Sequence, residues 1–322
     1  MRVVVLSGGR SSEYEVSVRS GESVAAGLIE AGHEAIPVRI ERDGRWLRDG
    51  DELEVRPGGG LLDADVAFPV MHGPYGEDGT VQGALEVLDV PYVGAGVLAS
   101  AICIDKLTFK RLLAFHGMPQ TEFCAAGEEG WREMVAGFGL PLWVKPSRLG
   151  SSVGISKVDS SEAALDEAIE LAARHDPRVI VEASASGMEV ECSVLGNDDP
   201  EVSVPGEIDA HAEWYHYEAK YEQGGMDLVV PARIDDETRE RVRKLARQVF
   251  VVTGCAGFAR CDFFVTEENE VLVNELNTIP GFTETSVFGK LWDATGVAYP
   301  ALCDRLVRLA VERHETERGF EF

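Results

Sequence analysis

Residues 258–278 read FARCDFFVTEENEVLVNELNT, two apolar runs on either side of a short polar stretch. Runs of this length and composition predict two strands, over 258–265 and 271–276, joined by a tight turn. The turn is centred near Glu268 and Asn269. The stretch therefore predicts an antiparallel β-hairpin, and the side chains that this hairpin would bring together decide how the rest of the chain is interpreted.

The register of this hairpin lays Asp262 opposite Glu275. Strand alternation then places Arg260 on the face of Asp262, and Asn277 on the same side as Glu275. Two carboxylates facing each other across a strand pair are unfavourable unless a cation lies between them. Carboxylate and amide oxygens are suitable ligands for Mg²⁺, whose coordination shell is commonly completed by substrate phosphates. The hairpin predicts a magnesium site, with a solvated acidic edge as the alternative.

The first hundred residues alternate short apolar runs with helical patterns, which is typical of a parallel sheet covered by helices. Strands are expected at 3–6, 35–40 and 66–71, and helices around 24–29 and 81–88. Sheets of this kind bind ligands beyond the carboxyl ends of their strands. Gly8, Gly9 and His72 would fall at that edge.

The remainder of the chain reads as two further units of mixed helices and strands. Helices are expected at 99–116, 161–174, near 242–249 and at 299–313, and strands at 179–183 and 188–195. We predict an α/β domain over residues 1–100, and α+β domains over 101–183 and 184–322.

The charge balance restricts the class of partner. Thirty basic and 56 acidic side chains give a net charge of −26. Such a surface repels phosphates on average, so a general nucleic-acid or anionic-membrane binder is not expected, although a pocket can still hold one nucleotide. The six cysteines contain no Cys-x-x-Cys pair, and no apolar run reaches membrane length. We expect a cytoplasmic protein without disulfides.

Six motifs in order make the chain resemble the D-alanine–D-alanine ligases of the ATP-grasp superfamily. They are SGGRSSEYEVS from Ser7, HGPYGEDGTVQG from His72, ASAICIDK from Ala99, VKPSRLGSSVG from Val144, YEAKY from Tyr217 and NELNTIPGFT from Asn274. The resemblance implies an ATP-grasp fold preceded by a Rossmann-like (pre-ATP-grasp) domain of residues 1–100. It also implies a homodimer.

The implied activity joins two D-alanines through an acyl phosphate formed from ATP, for peptidoglycan precursor synthesis. Two Mg²⁺ ions are implied as cofactor, with Mn²⁺ as a possible substitute. The resemblance assigns the metal ligands to Asp262, Glu275 and Asn277. It assigns the nucleotide to Lys106, Lys145, Ser152, Glu182, Glu189 and Lys220. Only seven lysines are present, and three lie at these motif positions.

The same resemblance assigns the amino-acid side of the site. Glu15 would hold the ammonium of the first substrate, with Ser151 and Tyr221 as its hydrogen-bonding partners. Arg260 and the backbone amide of Gly281 would face the tetrahedral oxyanion. The remaining substrate-binding residues implied are His72, Ser286 and Val287.

The sequence departs from the family pattern at two places, and three alternative functions stay open. Ala183-Ser-Ala replaces a Lys-Trp-Leu-like run beside the adenine, and Leu149 stands where relatives are often polar. A second substrate such as D-lactate or D-serine would use the same skeleton. Gly94-Ala-Gly96 leaves a nucleotide-binding oxidoreductase as a weaker alternative, since the third glycine of the dinucleotide motif is missing. The third alternative is a non-catalytic relative, which retention of Arg260 and the metal carboxylates argues against.

Overall fold

The structure is a computed structural model that describes residues 1–150, 152–210, 226–283 and 285–321. Its first sheet has the order β4-β3-β2-β1-β5. The strands are β1 (Arg2–Gly8), β2 (Glu34–Ile40), β3 (Trp46–Arg48), β4 (Asp51–Glu52) and β5 (Val66–Pro69), with helices α1 (Tyr14–Glu30) and α2 (Thr80–Leu88). The central β1 pairs in parallel with both β2 and β5, which confirms the predicted parallel sheet.

The second sheet has the order β6-β9-β7-β8 and is antiparallel throughout. Its strands are β6 (Phe123–Ala125), β7 (Leu142–Pro146), β8 (Ser156–Val158) and β9 (Val179–Ala183). The helices of this part of the chain are α3 (Val97–Ile104), α4 (Lys106–Phe115), α5 (Trp131–Phe138) and α6 (Glu162–Ala173).

The single helix predicted over 99–116 is wrong, because the chain breaks at Asp105 between α3 and α4. Asp105 has extended backbone angles, and its side chain accepts a hydrogen bond from the backbone amide of Thr108 at 3.1 Å, capping α4. The same carboxylate also pairs with Arg178 at 2.5 Å. A cap and a distant ion pair together favour the break over a continuous helix.

The third sheet has the order β13-β12-β10-β14-β15, with β11 added beside β10. Its strands are β10 (Met188–Gly196), β11 (Glu201–Val202), β12 (Gly206–Ala210), β13 (Met226–Val229), β14 (Gly257–Val265) and β15 (Val271–Asn277). Three helices accompany it: α7 (Asp236–Val252), α8 (Val287–Ala294) and α9 (Tyr299–Arg318). None of the helices within the described ranges is long and apolar enough to cross a membrane.

The predicted hairpin is present, and its predicted register is confirmed. Asp262 pairs with Glu275 and Arg260 pairs with Asn277, whereas Phe263 already pairs with Val273. The bulge between these pairs leaves one extra residue on β15 and reverses which face each later side chain takes. Glu275 therefore shares the face of Asp262 and Arg260, while the alternate residues of β14 pack into the hydrophobic core.

The first sheet and the C-terminal part of the chain share one hydrophobic core. Phe68 of β5 lies 5.5 Å from Phe282 and 6.5 Å from Phe258, centroid to centroid. Buried residues of α1 and α9 belong to the same cluster. A Cβ on Gly257 would lie only 2.9 Å from the backbone nitrogen of Gly94, so the two backbones pack closely at this point. The three sheets lie within residues 1–100, 101–183 and 184–322, and the exact domain boundaries stay a prediction.

Candidate active site

A cavity of about 380 Å³ is lined by residues of α1 and the loop after β5, by residues of the third sheet, and by the segments around α3, α4 and residue 150. Many of the predicted site residues line it, from the hairpin, the nucleotide set and the amino-acid set alike. They are His72, Lys106, Glu189, Arg260, Glu275, Asn277, Gly281, Ser286 and Val287. Residues that are far apart in sequence thus converge on one space.

The hairpin end of the cavity is built around Arg260. Its guanidinium contacts Asp262 through two hydrogen bonds of 2.7 Å and lies 2.9 Å from Glu191 of β10. Burial opposes the charge of this arginine, but the neighbouring carboxylates outweigh burial and raise its pKa well above the ordinary value. Lys106 approaches Glu275 at 3.9 Å. Three carboxylates face two cations here, so the cluster carries an excess negative charge.

The oxygen ligands at this end fit a divalent cation. Asp262 and Glu275 are directly opposite in the strand register, and Asn277 lies on the same strand two residues beyond Glu275. Among the residues that the structure describes, no group of three or more His, Cys, Asp or Glu side chains is arranged to hold a metal ion. Two carboxylates and one amide match the partial protein coordination that Mg²⁺ uses when phosphate oxygens complete its shell.

The structure places Glu15 outside the cavity, contrary to the role predicted for it. Glu15 lies in the first turn of α1, its side chain 65% exposed, and pairs with Arg42 at 2.5 Å. The hydrogen bond from Arg42 lowers the pKa of Glu15. Of the two acids in this motif, Glu13 lines the cavity, and it is 6% exposed.

The position of Glu13 follows from where α1 begins. Glu13 is the N-cap residue and precedes the helix, so its side chain points back toward the loops. Its Oε2 atom lies within 4 Å of where a Cβ on Gly73 or on Gly150 would stand. Locating the helix start from the apolar positions of α1 would have been the only sequence signal that separates these two acids.

His72 holds a loop and does not present a free ring nitrogen to the cavity. Its Nδ1 lies 2.9 Å from the carbonyl oxygen of Ile279, which can only accept, so Nδ1 carries the proton. Its Nε2 then accepts from the hydroxyl of Ser20 at 3.3 Å. Burial lowers the pKa of His72, which keeps the imidazole neutral.

Glu77 contacts the backbone of the same residue, Ile279, and was missed by the sequence interpretation. Its carboxylate accepts from the backbone amides of Gly73 at 2.6 Å and Ile279 at 3.3 Å. Burial, reinforced by the charge of Glu13, raises the pKa of Glu77 to about 8. His72 and Glu77 thus fix both sides of Ile279, two residues before Gly281. The motif HGPYGEDG contained this acid, but only the fold shows its partner.

Gly281, Ser286 and Val287 form the opposite wall, where α8 begins. Ser286 is the N-cap residue of α8, and its Oγ lies 2.6 Å from the hydroxyl of Thr283. A Cβ on Gly281 would stand 3.3 Å from that same Oγ. Backbone amides at a helix start attract anions, so this wall is suited to a carboxylate.

The predicted nucleotide residues divide into three groups. Lys106 lines the cavity and donates to the carbonyl of Leu149 at 2.7 Å, and Glu189 also lines it. Lys145 pairs with Glu182 at 2.5 Å, and Glu182 is buried outside the cavity lining. Ser152 is described, with a left-handed φ of 58°, and does not line the cavity. Lys220 lies outside the described residues, as do Ser151 and Tyr221, which were predicted as hydrogen-bonding partners of Glu15.

Comparison with known proteins gives one consistent family. The model for the D-ala D-ala ligase C-terminus matches residues 111–308, and that for the N-terminus matches 2–61 and 54–95. The D-alanine–D-alanine ligase of Deinococcus radiodurans is 44% identical, over 97% of this chain and 98% of its own. D-alanine–D-alanine ligase A of Salmonella typhimurium is 39% identical, over 100% of this chain and 98% of its own.

Solved structures agree with the sequence relatives. The D-alanine–D-alanine ligase of Coxiella burnetii superposes with a TM-score of 0.88 at 33% identity, covering 99% of this chain and 96% of its own. The VanG D-Ala:D-Ser ligase of Enterococcus faecalis superposes with a TM-score of 0.86 at 34% identity, covering 96% of this chain and 99% of its own.

Proposed function

The chain belongs to the D-alanine–D-alanine ligase family, and from this we propose that it joins two D-alanine molecules with ATP, releasing ADP and phosphate. The observation that carries the proposal is the single cavity in which an acid for an ammonium group, a fixed guanidinium and a helix start for a carboxylate converge. The product, D-alanyl-D-alanine, would serve peptidoglycan precursor synthesis.

The proposed reaction has two steps. A carboxylate oxygen of the first D-alanine attacks the γ-phosphorus of ATP, the bond to the β-phosphate oxygen breaks, and an acyl phosphate and ADP form. The amine of the second D-alanine then attacks the acyl carbon, giving a tetrahedral intermediate. Collapse of this intermediate breaks the bond to the phosphate oxygen and leaves an amide, inorganic phosphate and one released proton.

Binding of the two amino acids is assigned to opposite walls. We assign the ammonium of the first D-alanine to Glu13 in place of Glu15, because Glu13 is buried and lines the cavity. The carboxylate of the second D-alanine is assigned to Ser286 and the start of α8. Val287, which is also buried in this wall, limits the size of the second side chain.

Stabilisation of the tetrahedral oxyanion is assigned to Arg260 and the amide of Gly281. Arg260 is held by Asp262 and Glu191, so its charge is oriented before substrate arrives. His72 and Glu77 are assigned as positioning residues, because their contacts with Ile279 fix the loop that carries Gly281. Preorganised groups of this kind contribute most where water is excluded.

Phosphate binding is assigned to Lys106 and Lys145, and Mg²⁺ to Asp262, Glu275 and Asn277. When bound, the metal would neutralise charge on the phosphate oxygens. Glu189, on the cavity wall, is assigned to the ribose. As the resemblance implies, the proposal includes two Mg²⁺ ions, which Mn²⁺ could replace. It also includes a homodimer and a cytoplasmic location.

The test is to mix the protein with ATP, Mg²⁺ and D-alanine, follow phosphate release and identify the product by mass. Phosphate release that depends on D-alanine, with the mass of D-alanyl-D-alanine, supports the proposal. The likeness to the D-Ala:D-Ser ligase makes D-serine the first competitor to include. Release only with D-serine or D-lactate beside D-alanine would contradict the second substrate, and release with none would contradict the ligase activity.

A further inference from the structure

Lys110 is a buried lysine that the proposed mechanism does not use. Its side chain is 2% exposed, and its Nζ lies 2.7 Å from Glu182. A lysine this deep in a protein is rare unless it is paired, because burial disfavours its charge. Burial does lower the pKa of Lys110, while the neighbouring Glu182 opposes the effect.

Glu182 is shared between two lysines. Its Oε1 faces Lys110, and its Oε2 lies 2.5 Å from Lys145. Burial alone would raise the pKa of Glu182, but the two lysines outweigh burial and lower it to about 2. Both ammonium groups lie within ion-pair distance of this one carboxylate, so the three ionised groups together carry one net positive charge.

The two lysines differ in how they are held. Lys110 also donates to the hydroxyl of Thr121 at 2.8 Å and lies 5.7 Å from the ring centroid of Phe123. Lys145 is the more exposed of the two, at 16% against 2%. Lys110 is thus fixed on every side, whereas Lys145 reaches the edge of the cluster.

The helix that carries Lys110 also carries Lys106. The two lie one turn apart on α4, so they share a helix face. Lys106 lines the cavity, so Lys110 lies one helical turn from the region assigned to phosphate.

We propose that Lys110 is a positioning residue for nucleotide binding, acting through Glu182 by neutralising it so that the charge of Lys145 remains available to the ATP phosphates. The inference rests on the proposed function, because it takes the nucleotide to be ATP. Without Lys110, Glu182 and Lys145 form a neutral pair, and the attraction for phosphate weakens. With Lys110, the cluster keeps a net charge of one toward the nucleotide.

The experiment measures ATP affinity by calorimetry, without turnover, for the wild-type chain, Lys110→Met and Lys110→Met/Glu182→Gln. We expect Lys110→Met to weaken binding on the order of tenfold, since one charge is lost in a poorly screened site. The double variant restores a net charge of one, so it should bind ATP more tightly than Lys110→Met. A purely structural role for Lys110 would not be rescued by removing the carboxylate.

Two further variants make the result decisive. Lys244→Met removes an exposed helical lysine from α7 and should leave the affinity unchanged. Lys110→Gln keeps polar contacts to Thr121 and Glu182 without the charge, so it tests the proposal if methionine at this position does not fold. Unchanged affinity in the folded Lys110 variants, or a double variant as weak as the single one, would overturn this inference alone. Absence of ATP binding by the wild-type chain would overturn the proposed function and this inference together.

Discussion

Two clusters of charged side chains adjoin the candidate site, and their net charges have opposite signs. At the hairpin, Glu191, Asp262 and Glu275 outnumber Arg260 and Lys106. Behind α4, two lysines share Glu182. Both clusters use ion pairs that each look like structural salt bridges. Counting the charges of each whole cluster separates them: the first has negative charge left for a cation, and the second has positive charge left for phosphate.

The largest effect is expected from neutralising the hairpin carboxylates. Asp262→Asn or Glu275→Gln should lower kcat by ~10²- to 10³-fold, because a lost metal ligand removes charge stabilisation in a water-excluded site. At the other cluster, Glu182→Gln should improve ATP binding when Lys110 is already methionine. Neutralising a carboxylate would then have opposite consequences at the two clusters.

The measurement is steady-state turnover with a Mg²⁺ titration, accompanied by circular dichroism to confirm the fold. Loss of activity that excess Mg²⁺ partly restores would identify the residue as a ligand. Near-normal kcat in either variant would show that the substituted residue is not a metal ligand. The net negative charge of the hairpin cluster would then have no assigned role.

A smaller effect is expected at the amino-acid wall, where two acids can be compared directly. Glu13→Gln should lower kcat/KM for D-alanine by ~10²-fold, since the substrate ammonium loses a charged partner in a buried site. Glu15→Gln should change it less than about twofold, because an exposed ion pair with Arg42 contributes little.

Kinetics with D-alanine as the varied substrate decide between these two acids, and the Glu15 variant is the matched control. The reverse ranking, a large loss for Glu15 and a small one for Glu13, would mean that the ammonium binds outside the cavity of about 380 Å³.

The last effect is on stability and not on turnover, and it concerns Glu77 and pH. Its pKa of about 8 exceeds the ordinary 4.5, so the folded chain holds this proton more tightly than the unfolded chain does. Its contribution to the free energy of unfolding is therefore present at low pH and falls as pH rises from about 4.5 to about 8. Each pKa unit corresponds to about 1.4 kcal/mol at most.

Urea unfolding at pH 5.5 to about 8.5 checks this prediction. Glu77→Gln, which stays neutral, should lose part of the decline in stability seen for the wild-type chain. Glu129→Gln removes an exposed acid and should keep the wild-type slope. An identical slope in the Glu77 variant would show that Glu77 is already ionised in the folded chain.

The sequence predicted the hairpin well, and the reason is local. Period-2 apolar residues and a short polar turn specify both strands within 21 residues, and the predicted pairing of Asp262 with Glu275 is present. The bulge at Asn274 was not visible in the pattern, although it is what brings Glu275 onto the face of Asp262.

The errors occur where the chain depends on distant partners. The break at Asp105 is stabilised by Arg178, 73 residues away, and a helical pattern that continues across it gives no warning. Glu13 and Glu15 are two acids in one motif, and only the start and rotation of α1 separate the buried one from the exposed one.

The sequence by itself determined the family, the alternation of helices and strands, and the identity of most cavity residues, because these depend on motifs and short periodic patterns. Only the tertiary structure decided which acid of the first motif lines the cavity, that Lys110 and Lys145 share the buried Glu182, and that burial raises the pKa of Glu77. Burial and charge pairing depend on what lies within a few ångströms in space. Ile279, one of the residues against Glu77, is 202 positions away in sequence.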